Sequence, residues 1–307
     1  VPSPDVLACP QCGGAVRRVG PIPPSSRFAG RDLDEPIRAD LFACRACRLR
    51  FRNPRPDIDE LNRLYAAGAE DNWAAPEAGR PDWRLAAEWV QKLCPEGRVL
   101  DVGCFDGGFF DHVGPGVERY GVEIHDVAAA NATEKRDVRI VASSYTELAG
   151  LGSSFDAVVS FDVIEHVHEP REFLAALAAV VRPGGSVIVG TGNSDAPTWR
   201  LMGARYWYSW YPEHISFVSP RWFAQAAPGL ELRQERVARF SRYPGGRSFT
   251  REAAMNVAFR AAPQLAGTLR RRLGRSDAGL PIGDHNAPPM WSSAKDHFLV
   301  QLRKERA

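Results

Sequence analysis

The chain has 307 residues, 44% of them apolar, with 39 Lys and Arg against 37 Asp and Glu and a formal net charge of only +2. That length buries one full core and leaves room for a smaller second module, while the nearly balanced charge supplies no global field for a polyanion. No run of about 18 apolar residues is present to span a bilayer and no signal-peptide pattern opens the chain, so a soluble, cytoplasmic protein is expected.

The first predicted unit covers residues 1–56. Cys9-Pro10-Gln11-Cys12 and Cys44-Arg45-Ala46-Cys47 are two C-x-x-C knuckles. Each presents two thiolates on one tight turn, and two knuckles complete a tetrahedral four-sulfur shell for Zn2+. A redox role would call for one such motif in a thioredoxin-like setting. A metal with four protein ligands has no open position, which makes Cys9, Cys12, Cys44 and Cys47 a structural centre. Phe42 and Phe51 are expected to pack behind it, and Pro21 to Asp40 reads as a long loop between the knuckles. Asn53-Pro54-Arg55-Pro56 breaks the pattern and marks a linker. Residues 57–95 follow as a helical linker or cap, with apolar residues at helical spacing from Ile58 to Tyr65 and from Trp83 to Leu93.

Val99-Leu100-Asp101-Val102-Gly103-Cys104-Phe105-Asp106-Gly107-Gly108-Phe109 is the most informative stretch: a short apolar strand runs into a glycine-rich turn and a helix start. Glycine at 103 and 107 lets the backbone turn sharply and approach a ligand. A dinucleotide fingerprint requires G-x-G-x-x-G, and here Phe105 stands at the second glycine, so a ligand without phosphates fits better. Some twenty residues on, the strand Arg119 to Ile124 carries Glu123 at a spacing that lets an acid reach ribose hydroxyls. Val138 to Val141 reads as a third strand. Ser154 to Val167 reads as a buried strand, a loop and a helix start. Arg171 to Val181 is an Ala- and Leu-rich helix stopped by Arg182-Pro183-Gly184-Gly185, and Ser186 to Thr191 is a further strand. Leu232 to Phe240 and Asp296 to Leu302 supply a sixth and a seventh strand, separated by a helical insertion over Arg251 to Arg272 and a Gly/Pro-rich loop.

From about residue 85 to 240 this order resembles the class I S-adenosylmethionine-dependent methyltransferases, whose first motif is D-x-G-x-G-x-G and whose motif after the fourth strand is closely matched by Asp162-Val163-Ile164-Glu165-His166-Val167. The resemblance implies an α/β fold: a Rossmann-like seven-stranded methyltransferase sheet over 96–307, with an insertion at about 241–292, behind a small zinc-ribbon-like domain. S-adenosylmethionine would then be contacted by Asp101, Gly103, Cys104, Phe105 and Gly107 in the first motif. Glu123 would hold the ribose, with Ile124 and Phe161 as apolar walls for the adenine and Ser143 near it.

Methyl transfer from a sulfonium is an in-line displacement, so the protein's part is positioning and removal of the acceptor proton. Histidine is the natural base near neutral pH. Tyr211, Glu213 and His214 match the Y-x-E-H spacing of sugar C-methyltransferases that also carry an N-terminal zinc module, although those enzymes have a further C-terminal domain. Carried over, His214 is the base, with Tyr211 or Glu213 steadying charge. His166 lines the pocket and is the second candidate, Glu165 braces its helix, and His168 is expected to be exposed. Trp199, Tyr206, Trp207, Tyr208, Trp210 and Tyr211 read either as a stacking wall for a cyclic acceptor or as plain core. Arg270-Arg271-Arg272 reads as a solvated face or a phosphate contact. The expected partner is a small acceptor, sugar-like and possibly nucleotide-linked. The rivals are an RNA base methyltransferase, disfavoured by the weak net charge, and a non-catalytic scaffold.

Overall fold

The strands Arg98–Val102 (β6), Glu118–Val122 (β7), Arg139–Ala142 (β8), Phe155–Phe161 (β9) and Val181–Gly192 (β10) pair in parallel in the order β10-β9-β6-β7-β8. Their central members are apolar almost without interruption: Val99, Leu100, Val158, Val159, Val187 and Ile188 are fully buried, as expected for strands covered on both faces. Two further strands, Leu232–Phe240 (β12) and His297–Lys304 (β13), complete a seven-stranded sheet in the order β12-β13-β10-β9-β6-β7-β8, with β13 antiparallel to both neighbours. The α/β seven-stranded architecture expected from the sequence is therefore present. The computed structural model describes residues 8–28, 31–58, 61, 63, 80–242, 248–272 and 287–306.

Two helices illustrate why the faces are covered. Pro81–Leu93 begins with proline at its first turn, where the ring's missing N–H has no helical partner to lose, and buries Ala86, Ala87, Trp89 and Val90. Pro170–Val180 starts the same way and buries Phe173, Leu174, Leu177 and Val180 at three- and four-residue spacing. Each such large side chain contributes about 1.5–3 kcal/mol on burial. The expected stop at Arg182 to Gly185 is not a free turn: β10 already starts at Val181, and its register against β9 shifts between Val181 and Ser186, so the Pro-Gly-Gly segment is taken up as a bulge. After the first motif the chain makes only a short 3-10 turn, Gly108–His112.

The N-terminal unit contains Val16–Pro21 (β1), Ser25–Phe28 (β2), Arg31–Ile37 (β3), Asp40–Cys44 (β4) and Arg50–Asn53 (β5). The segment expected to be a long loop is instead a ribbon, β2 pairing with β3. Strand β5 also pairs with Ser216–Phe217 (β11), joining Phe51 to Ser216 and Arg50 to Phe217. The four-stranded sheet β1-β4-β5-β11 thus takes its last strand from the segment between β10 and β12, distant in sequence from the other three. Phe42 and Phe51 are buried and stacked at 5.7 Å, and they share a core cluster with Cys9 and Cys44.

Most of the expected helix from Ile58 to Tyr65 and of the Gly/Pro-rich loop after Arg272 lies outside the described residues, as do His285, one of the chain's seven histidines, and the side chains of Arg270, Arg271 and Arg272. Among the described residues no helix is long and apolar enough to cross a membrane.

Candidate active site

The candidate site residues gather at the carboxyl-terminal edge of the parallel strands, the edge at which open α/β sheets bind ligands. Asp101 on β6 is 3% exposed, and its Oδ1 has no hydrogen-bond partner among the described residues. Burial pushes its carboxyl up to about 8, against the pull of nearby Arg80. Gly103 has φ +82°, and a Cβ there would stand 2.4 Å from Cγ2 of Val163, so the turn accepts no side chain at that position. Phe105 has φ +48°, the left-handed region that glycine would occupy without strain. A larger residue therefore holds a glycine's backbone conformation at about 1–2 kcal/mol.

Glu123 explains what keeps that loop in place. Its Oε2 accepts the N–H of Phe105 at 2.8 Å and its Oε1 accepts the N–H of His125 at 2.8 Å. Each carboxylate oxygen keeps further lone pairs, so these bonds are compatible with accepting hydroxyl protons as well. Beside it Ile124, just past the end of β7, is 62% exposed, an open apolar surface next to the acid. An orphaned buried carboxylate oxygen, a glycine-lined turn and an exposed apolar side chain next to an acid make a cradle that fits a cationic, ribose-bearing cofactor.

Other expected cofactor contacts are placed differently. Phe161 is the last residue of β9, not a residue beyond it, and its ring packs on Phe109 at 5.0 Å and Trp83 at 6.4 Å within a buried cluster. Cys104 is buried, with its thiol 3.7 Å from the Phe105 carbonyl. The Ser143 hydroxyl donates to Glu147 at 2.7 Å, and the Ser144 hydroxyl accepts from the Thr146 N–H at 3.3 Å. Asp162, Asp82, Arg80 and Arg242 form an ion-pair quartet over the same edge, with Arg80 bridging Asp82 at 2.7 Å and Asp162 at 3.1 Å, and Arg242 reaching Asp162 at 3.0 Å. Burial raises the Asp162 carboxyl, but the two guanidiniums outweigh it and hold the group well below the usual range.

On the other half of the edge two imidazoles meet, His166 and His214, at 4.9 Å between ring centres. Nδ1 of His166 lies 3.0 Å from the Glu213 carbonyl, and Nδ1 of His214 lies 2.9 Å from the Tyr208 carbonyl. A carbonyl can only accept, so Nδ1 carries the proton in both rings, and each neutral ring presents Nε2 as a base. Burial lowers both pKa values, His214 further because His166 lies beside it, so both are neutral near pH 7. A carboxylate oxygen of Glu165 and one ring nitrogen from each histidine fall within 4.8 Å of one another. Glu165 is buried, accepting from the Tyr208 hydroxyl and, at 2.9 Å, from Thr191, and burial followed by repulsion from Asp162 raises it to about 7. Tyr211 is partly exposed, with its ring 5.3 Å from that of His214.

Five of the six rings read as a possible stacking wall, Trp199, Tyr206, Trp207, Tyr208 and Trp210, are at most 5% exposed and form a second core cluster. Tyr208 among them lies against His214, with 4.3 Å between ring centres. His168, expected to be exposed, is half-buried, its Nε2 2.8 Å from the Pro56 carbonyl. His297, one of the seven histidines that the sequence offers as a base, is paired with Asp296 at 3.0 Å, and Tyr206 and Trp207 donate to Asp296; the sequence did not point to this pairing. His297 pairs with Gly192 in the β10–β13 ladder and so reaches the same edge; no local motif signals it.

The four cysteine thiols of the N-terminal unit lie within 4.8 Å of one another, with Sγ to Sγ distances of 3.7 Å for Cys9 and Cys47 and 3.5 Å for Cys12 and Cys44. Tetrahedral bonds of about 2.3 Å from zinc to sulfur require sulfurs about 3.8 Å apart. The cluster could bind a metal of that kind.

A family model described as a methyltransferase domain matches residues 77–234, the span that holds β6 to β11 and both histidines. The chain belongs to this methyltransferase family. It is an S-adenosylmethionine-dependent methyltransferase of the class I fold. Among curated relatives, the ubiquinone biosynthesis O-methyltransferase of Ralstonia nicotianae is 29% identical over 190 residues, covering 56% of this methyltransferase and 79% of that protein. The protein of the same name from Brucella ovis is 29% identical over 150 residues, covering 44% and 60%. The match thus spans less than two thirds of the Brucella protein. Solved structures with a similar chain path include the YcgJ protein of Bacillus subtilis, at 16% identity, TM-score 0.47 and coverage of 73% of this chain and 98% of that one. A possible histamine N-methyltransferase of Thermotoga maritima has 18% identity, TM-score 0.47 and coverage of 81% and 96%.

Proposed function

We propose that this methyltransferase methylates oxygen or carbon on a small cyclic, sugar-like acceptor, with His214 as the general base. The observation that carries the reading is the pair of neutral imidazoles whose Nδ1 protons are committed to backbone carbonyls. S-adenosylmethionine supplies an electrophilic methyl group on a sulfonium when bound. Asp101 faces its cationic end, Gly103 and Gly107 allow close backbone approach, and Glu123 accepts from the ribose hydroxyls while keeping the Phe105 loop in place. Ile124 offers the adenine an apolar face. His214 takes the acceptor proton at Nε2, Tyr211 orients the acceptor, and Glu213 and His166 steady the charge that develops.

The two curated relatives described above are both named as O-methyltransferases of ubiquinone biosynthesis, which favours oxygen over carbon. In either case the proton is taken at Nε2 of His214; a carbon beside a ketone is the weaker acid and also needs its developing enolate oxygen stabilised. Residues 1–56 are read as a zinc-binding module with Cys9, Cys12, Cys44 and Cys47 as ligands, 57–95 as a helical linker and 96–307 as the catalytic domain. The protein is read as acting in the cytoplasm.

The test uses zinc-loaded protein with isotopically labelled S-adenosylmethionine, offered nucleotide sugars, hydroxylated rings and RNA in separate pools. Label in a sugar or a ring hydroxyl supports the reading. Label in RNA alone overturns it.

A further inference from the structure

The cysteine unit and the paired imidazoles are joined by one side chain. Arg52 lies on β5, eight residues beyond Cys44 by number, and is 2% exposed. Its Nη1 donates to the Pro212 carbonyl at 2.7 Å and its Nη2 to the Ser209 carbonyl at 2.9 Å. Its backbone N–H donates to the Ile215 carbonyl at 3.1 Å, and the next contacts along the strands are the β5–β11 pairs. The segment from Ser209 to Ile215 is therefore held at its start, middle and end by one residue of the N-terminal unit.

That segment is the one that sets both rings. His214 gives its Nδ1 proton to the Tyr208 carbonyl, next to Ser209, and His166 gives its Nδ1 proton to the Glu213 carbonyl, next to Pro212. A second latch runs parallel: Arg55 donates to the His168 carbonyl at 2.8 Å, and His168 reaches the Pro56 carbonyl. The knuckle itself touches the catalytic domain through Gln225, which donates to the Ala46 carbonyl at 2.9 Å. A guanidinium suits this task because its planar fork reaches two carbonyls at fixed separation, which an ammonium on a flexible stem does not.

We propose that Arg52 is a positioning residue for His214 and His166, carrying the geometry of the cysteine unit into the carbonyls that fix both imidazole tautomers. The inference rests on the reading of these rings as proton acceptors, but its test does not use turnover. Zinc-loaded protein with nitrogen-15-labelled histidine is compared by NMR with Arg52→Lys and Arg52→Met, with S-adenosylmethionine bound. Calorimetric binding of S-adenosylmethionine and metal content report that the fold and the cysteine centre are kept.

The native protein is expected to show Nδ1–H signals for both rings. Both variants are expected to lose them in part to Nε2–H forms, Arg52→Met more than Arg52→Lys, while cofactor binding and zinc content hold. Unchanged Nδ1–H tautomers in a variant that still binds the cofactor overturn the proposal. If Arg52→Met does not fold, Arg52→Lys, which keeps the charge and loses the fork, decides in the same way. Failure of the underlying reading is seen separately, as full turnover in His214→Ala, whatever the tautomers do in the Arg52 variants.

Discussion

The two halves of the ligand-facing edge are built on different length scales. On the cofactor half, Glu123 reaches Phe105 across 18 residues and His125 across two, so the loop geometry is written within one β-turn-β unit. On the acceptor half, His166 meets Glu213 across 47 residues, Tyr208 meets Glu165 across 43, and Arg52 meets Pro212 across 160. A pocket for a shared cofactor can be encoded locally, whereas a pocket that places a base must be assembled from distant segments packed on a rigid core.

The same contrast explains what could be read beforehand. Asp101, Gly103 and Glu123 can be picked out as proposed cofactor contacts because a strand, a turn and an acid just after the next strand stand at the spacing that such a pocket calls for. The four cysteines are visible because metal ligation fixes both residue type and knuckle spacing, and their sulfurs do converge. The Y-x-E-H run drew attention to His214, but nothing in it indicated that His166 lies opposite or that Glu165 is tied to Tyr208. The aromatic run could not be divided in advance into core and surface, because tyrosine and tryptophan serve both; burial assigns all but Tyr211 to the core. Arg80, Arg242 and the Asp296–His297 dyad carry no local signature, since each acquires its partner only through tertiary packing.

The largest expected effect tests whether the acceptor half depends on the cysteine unit. A structural zinc at the four cysteines, as proposed, would contribute about 10–16 kcal/mol, so Cys44→Ala should abolish metal binding and unfold β1 to β5. Stoichiometric metal analysis and circular dichroism would show it. Because β11 pairs with β5, hydrogen exchange should also rise over Ser209 to Phe217 and remain unchanged at Asp101 and Glu123. Protection retained at both places would show that the halves are not coupled in this way.

Next comes the chemistry itself. His214→Ala should lower turnover about 100-fold or more and leave cofactor affinity alone, since general bases contribute that much. A loss of cofactor affinity of the same size would mean that the halves share the imidazole. On the cofactor half, Asp101→Asn is a pH experiment. Folding drives that carboxyl from 3.8 up to about 8, so between these values the native state keeps a proton that the unfolded chain has released. Its contribution to stability is fully present below about pH 4 and declines as pH rises towards 8. Without cofactor, the substitution should raise Tm at pH 8 and change it little at pH 4; equal shifts at both would remove the titration from the account. Glu123→Ala should then weaken S-adenosylmethionine binding by about 1–3 kcal/mol in calorimetry, the cost of an unmade hydrogen bond to a charged group.

The smallest effect bears on how locally the cofactor half is encoded. Phe105 holds φ +48° with its N–H bonded to Glu123, so the loop conformation comes from the bond and the surrounding turn and not from the residue's own preference. Phe105→Gly removes about 1–2 kcal/mol of left-handed strain and adds back about 0.5–1 kcal/mol of unfolded-chain freedom. Phe105→Ala keeps the strain and loses the ring. Glycine should therefore be better tolerated than alanine by about 1 kcal/mol, the reverse of their order at ordinary backbone angles. Thermal unfolding of the two variants measures the difference directly. Alanine equal to or above glycine would mean that the loop relaxes away from the left-handed region once the ring is gone, and that the Phe105 side chain itself, not Glu123, keeps the turn in shape for the cofactor.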